Sequence, residues 1–204
     1  MIYSSDGGYV IAGETSSYGV GGSDFWLIKV NSVGNMQWNK TYGKTSAEGA
    51  NSVIQTDDGG FALVGYTINT NTAEDIWFIK IDSSGSMQWN RTYGGSGSDY
   101  AKAIVQTSDG GFAIAGSTNS FSNDSPRDWW VIKTDAEGNI EWDKTYDGNG
   151  GFDDASTLLQ TDDNGYAIAG NTGGFIGQNV WLIKTDSIGS TLWNVTWDVH
   201  DPAQ

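Results

Sequence analysis

Oxygen is the one ligand atom this chain supplies in quantity: 25 Asp and Glu stand against ten Lys and Arg, one His and no Cys. The densest group is Asp147-Gly-Asn-Gly-Gly-Phe-Asp-Asp154. Oxygens from Asp147, Asn149, Asp153 and Asp154 would suit a hard cation, so Ca²⁺ is the one cofactor these residues suggest. The stretch occurs in one copy and lacks the closing Glu of an EF-hand loop. His200, the sole imidazole, lies in Asp198-Val-His-Asp-Pro202, which leaves no Ser-His-Asp triad and no histidine metal site. Carboxylate pairs are too common among 25 acids for spacing to nominate a glycosidase pair. The residues point to a protein that is no enzyme. A glycan-active hydrolase or lyase using two carboxylates stands as the alternative.

A second set suits contact rather than catalysis. Tyr18, Phe121, Phe152 and Phe175 stand near Asp24, Asp75 and Asp128 in segments that differ in length and residue type: Ser16–Ser23, Ile68–Glu74, Asn119–Arg127 and Gly173–Gln178. Variable loops on a rigid scaffold commonly carry function, and these seven residues are the expected ligand-binding set. Mere tolerance of variation is the other reading of such loops.

A fourfold repeat must position these segments. Gly8, Gly60, Gly111 and Gly165 recur at spacings of 52, 51 and 54 residues, which divides the chain at about 1–48, 49–99, 100–153 and 154–204. Each unit holds four short strand-like runs between Gly, Asp, Asn and Ser clusters. In the second unit strand a is Asn51–Thr56, b is Phe61–Gly65, c is Ile76–Ile81 and d is Met87–Tyr93. Such a period, with four strands per unit, predicts the blades of an all-β, four-bladed β-propeller in one domain. Half of an eight-bladed ring made by two chains is the alternative, so the chain is either a monomeric ring or a homodimer.

The repeat also tempers other chemistry. Trp26, Trp77, Trp130 and Trp181 share one column, and Trp38, Trp89, Trp142 and Trp193 another; packing between blades is their expected role. Lys29, Lys80, Lys133 and Lys184 each stand two residues before Asn31, Asp82, Asp135 or Asp186, on the same strand face, which predicts a structural ion pair near the turn for at least three of them. Asn39, Asn90 and Asn194 fit a glycosylation sequon, but they recur with strand d, so a side-chain role at the strand edge is expected instead.

Both turns carry a resemblance. The a–b turn, [ST]-x-D-[GN]-G-[FY], at Ser4–Tyr9, Thr56–Phe61, Thr107–Phe112 and Thr161–Tyr166, resembles the opening of the Asp-box of sialidase-like propellers, without its closing Trp. The c–d turn, as in Asp82–Trp89, resembles the tryptophan-docking turn of PQQ-type blades, one residue shorter and without its Thr. The whole unit is similar to uncharacterised repeats of archaeal and bacterial surface proteins. That resemblance implies an extracellular or cell-surface location, with the export signal outside this chain.

Charge narrows the partners. A net charge of −15 with the basic residues dispersed through repeat columns excludes nucleic acid as a partner and disfavours an anionic membrane surface. No apolar run approaches the roughly 20 residues of a membrane-inserted helix. The expected function is a non-enzymatic binding or adhesion module that recognises a protein or glycan at a cell surface. The rim formed by the b–c and d–a loops would carry it. An acidic surface favours neutral or cationic partners, or ones bridged by Ca²⁺. A structural spacer within a larger surface protein is the remaining alternative.

Overall fold

The computed structural model describes residues 1–68, 73–122, 126–148, 150–173 and 179–198. Among these there is no helix, and sixteen strands follow one another along the chain. The first sheet is β1 (Ile2–Tyr3), β2 (Tyr9–Thr15), β3 (Asp24–Val30) and β4 (Met36–Tyr42). The second is β5 (Glu48–Gln55), β6 (Phe61–Ile68), β7 (Glu74–Ile81) and β8 (Met87–Tyr93). The third is β9 (Asp99–Gln106), β10 (Phe112–Thr118), β11 (Asp128–Thr134) and β12 (Ile140–Tyr146). The fourth is β13 (Asp154–Gln160), β14 (Tyr166–Thr172), β15 (Asn179–Thr185) and β16 (Thr191–Trp197). Every sheet is antiparallel, with its strands in sequence order. The all-β architecture of four four-stranded blades is therefore as the repeat predicts. The chain forms two compact units, Met1–Gly94 with the first two sheets and Gly95–Gln204 with the last two.

Within each unit one sheet packs its face on the next, and the same columns meet. In the first unit Phe25 lies edge-on to Trp77, ring centroids 4.8 Å apart, and Trp38 lies 6.2 Å from Phe61. Val10 and Leu27 on one sheet close against Leu63 and Ile79 on the other. The Tyr42 hydroxyl donates to the carbonyl of Gly85 at 2.7 Å. The second unit repeats this: Trp129 on Trp181 at 4.5 Å, Trp142 on Tyr166 at 5.6 Å, and Tyr146 donating to the Gly189 carbonyl at 2.7 Å. Burial and proximity to Asp186 raise the Tyr146 hydroxyl above its ordinary pKa, so it stays a donor. Gly85 and Gly189 take positive φ, and a Cβ there would meet the Trp, Lys or Tyr side chains of the preceding sheet.

Both hairpin turns are fixed by local oxygen acceptors. In the a–b turn the Asp accepts from the backbone two residues on, as Asp58 does from Gly60 at 2.9 Å. A Cβ at the second glycine would sit against the strand-c carbonyl, 2.3 Å from Ile81 O for Gly60 and 2.2 Å from Thr134 O for Gly111. That clash is why the glycine recurs in every copy. The strand-c lysine takes the same Asp: Lys29–Asp6, Lys80–Asp58, Lys133–Asp109 and Lys184–Asp163, at 2.7–2.9 Å.

This partner corrects the sequence reading. Asn31, Asp82, Asp135 and Asp186 face their own c–d turn instead and accept its backbone amides, such as Ser84 and Ser86 for Asp82. A β-bulge after each lysine's column carries the following residues out of strand register, so the period-2 extrapolation fails there. Strand a also starts three residues earlier than expected, at Glu48, and a bulge near Ala50–Ser52 absorbs the extra residue.

The recurrent Trp and Asn columns explain each other. Indole N–H groups of Trp26, Trp77, Trp130 and Trp181 donate to Asn39, Asn90, Asp143 and Asn194 at 3.0–3.4 Å. The sequon Asn is thus an acceptor on strand d, a role Asp143 fills equally well.

Candidate functional site

Antiparallel order places the a–b and c–d turns at one end of each sheet and the b–c and d–a loops at the other. The turn end is repetitive and internally satisfied. In the second unit it borders a cleft of about 520 Å³ lined by Asp109, Lys133, Glu141, Trp142, Gln160 and Tyr166, among others. Lys133 Nζ reaches Asp109 at 2.9 Å, Glu141 at 2.7 Å and the Thr134 carbonyl at 2.9 Å, which uses all three ammonium hydrogens. Burial pushes the Asp109 carboxyl up, but hydrogen bonds from Thr107 and Lys133 outweigh it and hold its pKa at about 2. Burial and the nearby Asp109 and Glu141 charges push the Tyr166 hydroxyl up to about 12. A carboxyl ionised to such low pH is no general acid near neutrality.

The loop end is where the copies diverge. Carboxylates at the start of strand a pin each d–a loop. Glu48 accepts from the Lys44 amide at 2.9 Å and from Thr67 at 2.8 Å. Asp99 accepts from the Gly95 amide at 3.0 Å and from Ser120 at 2.6 Å, and Thr118 bonds its other oxygen. Asp153 accepts from Gly148 at 2.7 Å and Gly173 at 3.1 Å. The recurring acid one residue before or at the strand start is the sequence signal for this role, and the motif reading passed over it.

On this scaffold the second unit gathers groups that no other copy has. Arg127 ends the b–c loop, and its carbonyl accepts from the Asp153 amide at 3.1 Å, bridging it to the d–a loop beside Phe152. Its guanidinium lies 5.5 Å from the Tyr100 ring and 5.8 Å from the Phe152 ring. Asn119 accepts from Nε at 3.2 Å, and Asp154 pairs with Nη1 at 3.3 Å. Lys102 Nζ stands 5.8 Å over the same Tyr100 ring. Tyr100, Lys102, Arg127 and Asp154 line a cleft of about 270 Å³. The corresponding places in the second copy hold Gly49, Asn51 and Glu74. Lys102 and the Arg127–Asp154 pair leave this hollow one net positive charge, which can bind an anionic group while the Tyr100 ring, with Phe152 behind Arg127, offers apolar surface.

The expected residues divide between surface and interior. Tyr18 is largely exposed, 6.4 Å from the Trp26 ring, at the mouth of a cleft of about 440 Å³ that Ile28, Met36 and Asn39 also line. Phe121 is exposed and packs 4.9 Å from Trp130, and Phe152 joins the Arg127 cluster. Asp24, Asp75 and Asp128 are buried at the strand starts. Phe175 and Asn149 lie outside the described residues. For a cation, Asp147 and Asp153 come together with Asp128, one carboxylate oxygen from each within 4.8 Å of the others, while Asp154 turns to Arg127. Three oxygens are fewer than the six to eight that Ca²⁺ takes, so backbone carbonyls or water would supply the rest.

No protein-family model matches this chain, and no curated protein matches it either.

Proposed function

We propose that the chain is a non-enzymatic binding or adhesion module of the cell surface or extracellular space. In this reading it recognises its target, a glycan or a protein, through the loop end of its sheets. One observation carries the reading: Tyr100, Lys102, Arg127 and Asp154 line a single hollow, with Phe152 against Arg127, in one unit only, at the end where the repeats diverge. A structural repeat has no use for that departure, whereas recognition needs it. Although the chain as a whole is strongly acidic and Asp154 offsets Arg127 here, Lys102 leaves the hollow net positive, so the favoured target carries a carboxylate, as an acidic sugar does. Such a group would pair with Lys102 and Arg127 while Tyr100 and Phe152 meet the ring.

The hydrolase alternative would place its two carboxylates at the turn end, on Asp109 and Glu141. Both are held by Lys133, and Asp109 is ionised down to about pH 2, which favours a structural role. Ca²⁺ enters the proposal as an ion ordering the d–a loop through Asp128, Asp147 and Asp153.

A glycan array with uronic-acid and sialylated members, probed with wild type and with the Arg127→Ala/Lys102→Ala double variant, tests the reading. Binding of acidic glycans that the double change abolishes is expected. Binding that survives it places the site elsewhere, on Tyr18 or Phe121 if their Ala variants lose it. No binding to any glycan favours a protein target or a spacer.

A further inference from the structure

Each unit contains a buried sheet-on-sheet interface, and residues of the same columns on the first and fourth sheets are exposed. In the second unit Trp129, Trp142 and Tyr146 of the third sheet pack on the fourth, and Trp129 is 0% exposed. The fourth sheet carries Val180, Trp193 and Trp197 in those columns. They are 42%, 49% and 42% exposed, and Val195 between them is 41% exposed. For Trp193 this contradicts the expectation that its column packs between blades.

The converse face lies on the first sheet. In the first unit Phe61, Leu63 and Trp77 of the second sheet receive the residues of the first, and all three are buried. The first sheet presents Tyr9, Ile11 and Trp26 in those columns, with Tyr9 39% and Ile11 38% exposed. Its turn glycine tells the same story. A Cβ at Gly85 or Gly189 would meet Trp, Lys and Tyr atoms of the sheet before, whereas a Cβ at Gly34 would meet nothing within 4 Å. The Trp26 cleft of about 440 Å³ is the vacant half of the socket that Trp77 closes on Phe25 in the first unit.

We propose that these two faces are an interaction surface for a second copy of this chain: the fourth sheet of one copy docks on the first sheet of another. The occupant follows from continuity with the interface already present in each unit, since donor and acceptor columns correspond position by position. Trp193 takes the place of Trp38 and Trp142 against Tyr9, and Trp197 offers an indole N–H to the Gly34 carbonyl where Tyr42 and Tyr146 offer a hydroxyl. Val195 replaces Lys40 and Lys144, which makes this face more apolar than its buried counterparts. Contiguous exposed Trp and aliphatic surface of this kind marks protein interfaces. Tyr3 stands where the second and fourth sheets have Gln55 and Gln160, so the amide contact of those glutamines is not reproduced.

Such an interface is heterologous, head to tail, and this dictates the test. Light scattering on the purified chain is expected to show a species at twice the 21.9 kDa chain mass, or a series of multiples if the pairing does not close. Trp193→Asp and Ile11→Asp, each at an exposed site, should give monomers with the wild-type circular dichroism spectrum. Mixing the two variants should restore a dimer, because each retains the face that the other lacks. A wild type that is monomeric at every concentration overturns the proposal. So does a dimer that both variants leave intact, or two monomeric variants that fail to pair on mixing.

Discussion

The two ends of the sheets are built from similar side chains to opposite effect. At the turn end a Lys–Asp pair recurs four times with the same partners at nearly the same distance. At the loop end Arg127 makes its contacts once, with Tyr100, Phe152, Asn119 and Asp154, and no other copy has the residues to repeat them. Charge at the turn end is spent within the hairpin, whereas at the loop end Lys102 and the Arg127–Asp154 pair face a hollow. Repetition therefore marks what the fold needs, and its interruption marks where a partner can be told apart.

The strongest way to break this contrast is through the repeated core. Trp129→Ala removes a fully buried indole from the packing on Trp181 and should cost about 3–5 kcal/mol of stability, read by chemical denaturation. Loss of less than about 1 kcal/mol would show that the sheet-on-sheet contact is not what holds the unit together. Gly111→Ala, which drives a Cβ to 2.2 Å from the Thr134 carbonyl, should cost about 1–3 kcal/mol by the same measurement. Gly34→Ala serves as its counterpart. No neighbouring atom lies within 4 Å there, so its cost should be confined to the strain of φ +84°, about 1 kcal/mol.

The turn-end pairs predict a pH dependence. Hydrogen bonds hold Asp58 and Asp109 at about 2, against an ordinary value of 3.8. A carboxyl whose pKa is depressed in the folded state stabilises above its unfolded value, and that contribution disappears as pH falls through the folded one. Stability should accordingly be level above about pH 4 and fall between about pH 4 and pH 2. Because these side chains are half exposed, each pair should contribute only about 0.5–1 kcal/mol after solvent screening. Lys133→Met should flatten part of that acid limb in thermal melts; an unchanged limb would mean the pair is not its cause.

The smallest expected effect is that of Ca²⁺. Millimolar Ca²⁺ should raise the melting temperature by a few degrees, and Asp147→Asn should remove the increase. An increase that survives this change would move the ion away from Asp128, Asp147 and Asp153.

Much of the blade was legible in the sequence because it rests on local rules. Strand d at Met87–Tyr93 matches residue for residue, and the Asp-Gly-Gly turn announces its own hydrogen bonds. The lysine partner was misplaced because a bulge breaks the alternation that the extrapolation assumed. Of the Arg127 cluster only Phe152 could be read: Tyr100, Arg127 and Phe152 lie in three separate segments whose meeting depends on how two sheets pack. Nor does sequence distinguish Trp193 from Trp142, which share a column and differ only in whether a sheet follows.

The most direct test of the division between the two ends is a crossed affinity measurement by calorimetry. An acidic glycan would be titrated into Arg127→Ala and into Lys133→Met, with the melting temperature recorded for each. The loop-end change should weaken binding at least tenfold, about 1.4 kcal/mol, with the wild-type melting temperature retained. The turn-end change should lower the melting temperature and leave affinity intact. Loss of binding with Lys133→Met, or its survival with Arg127→Ala, would contradict the assignment of recognition to the loop end.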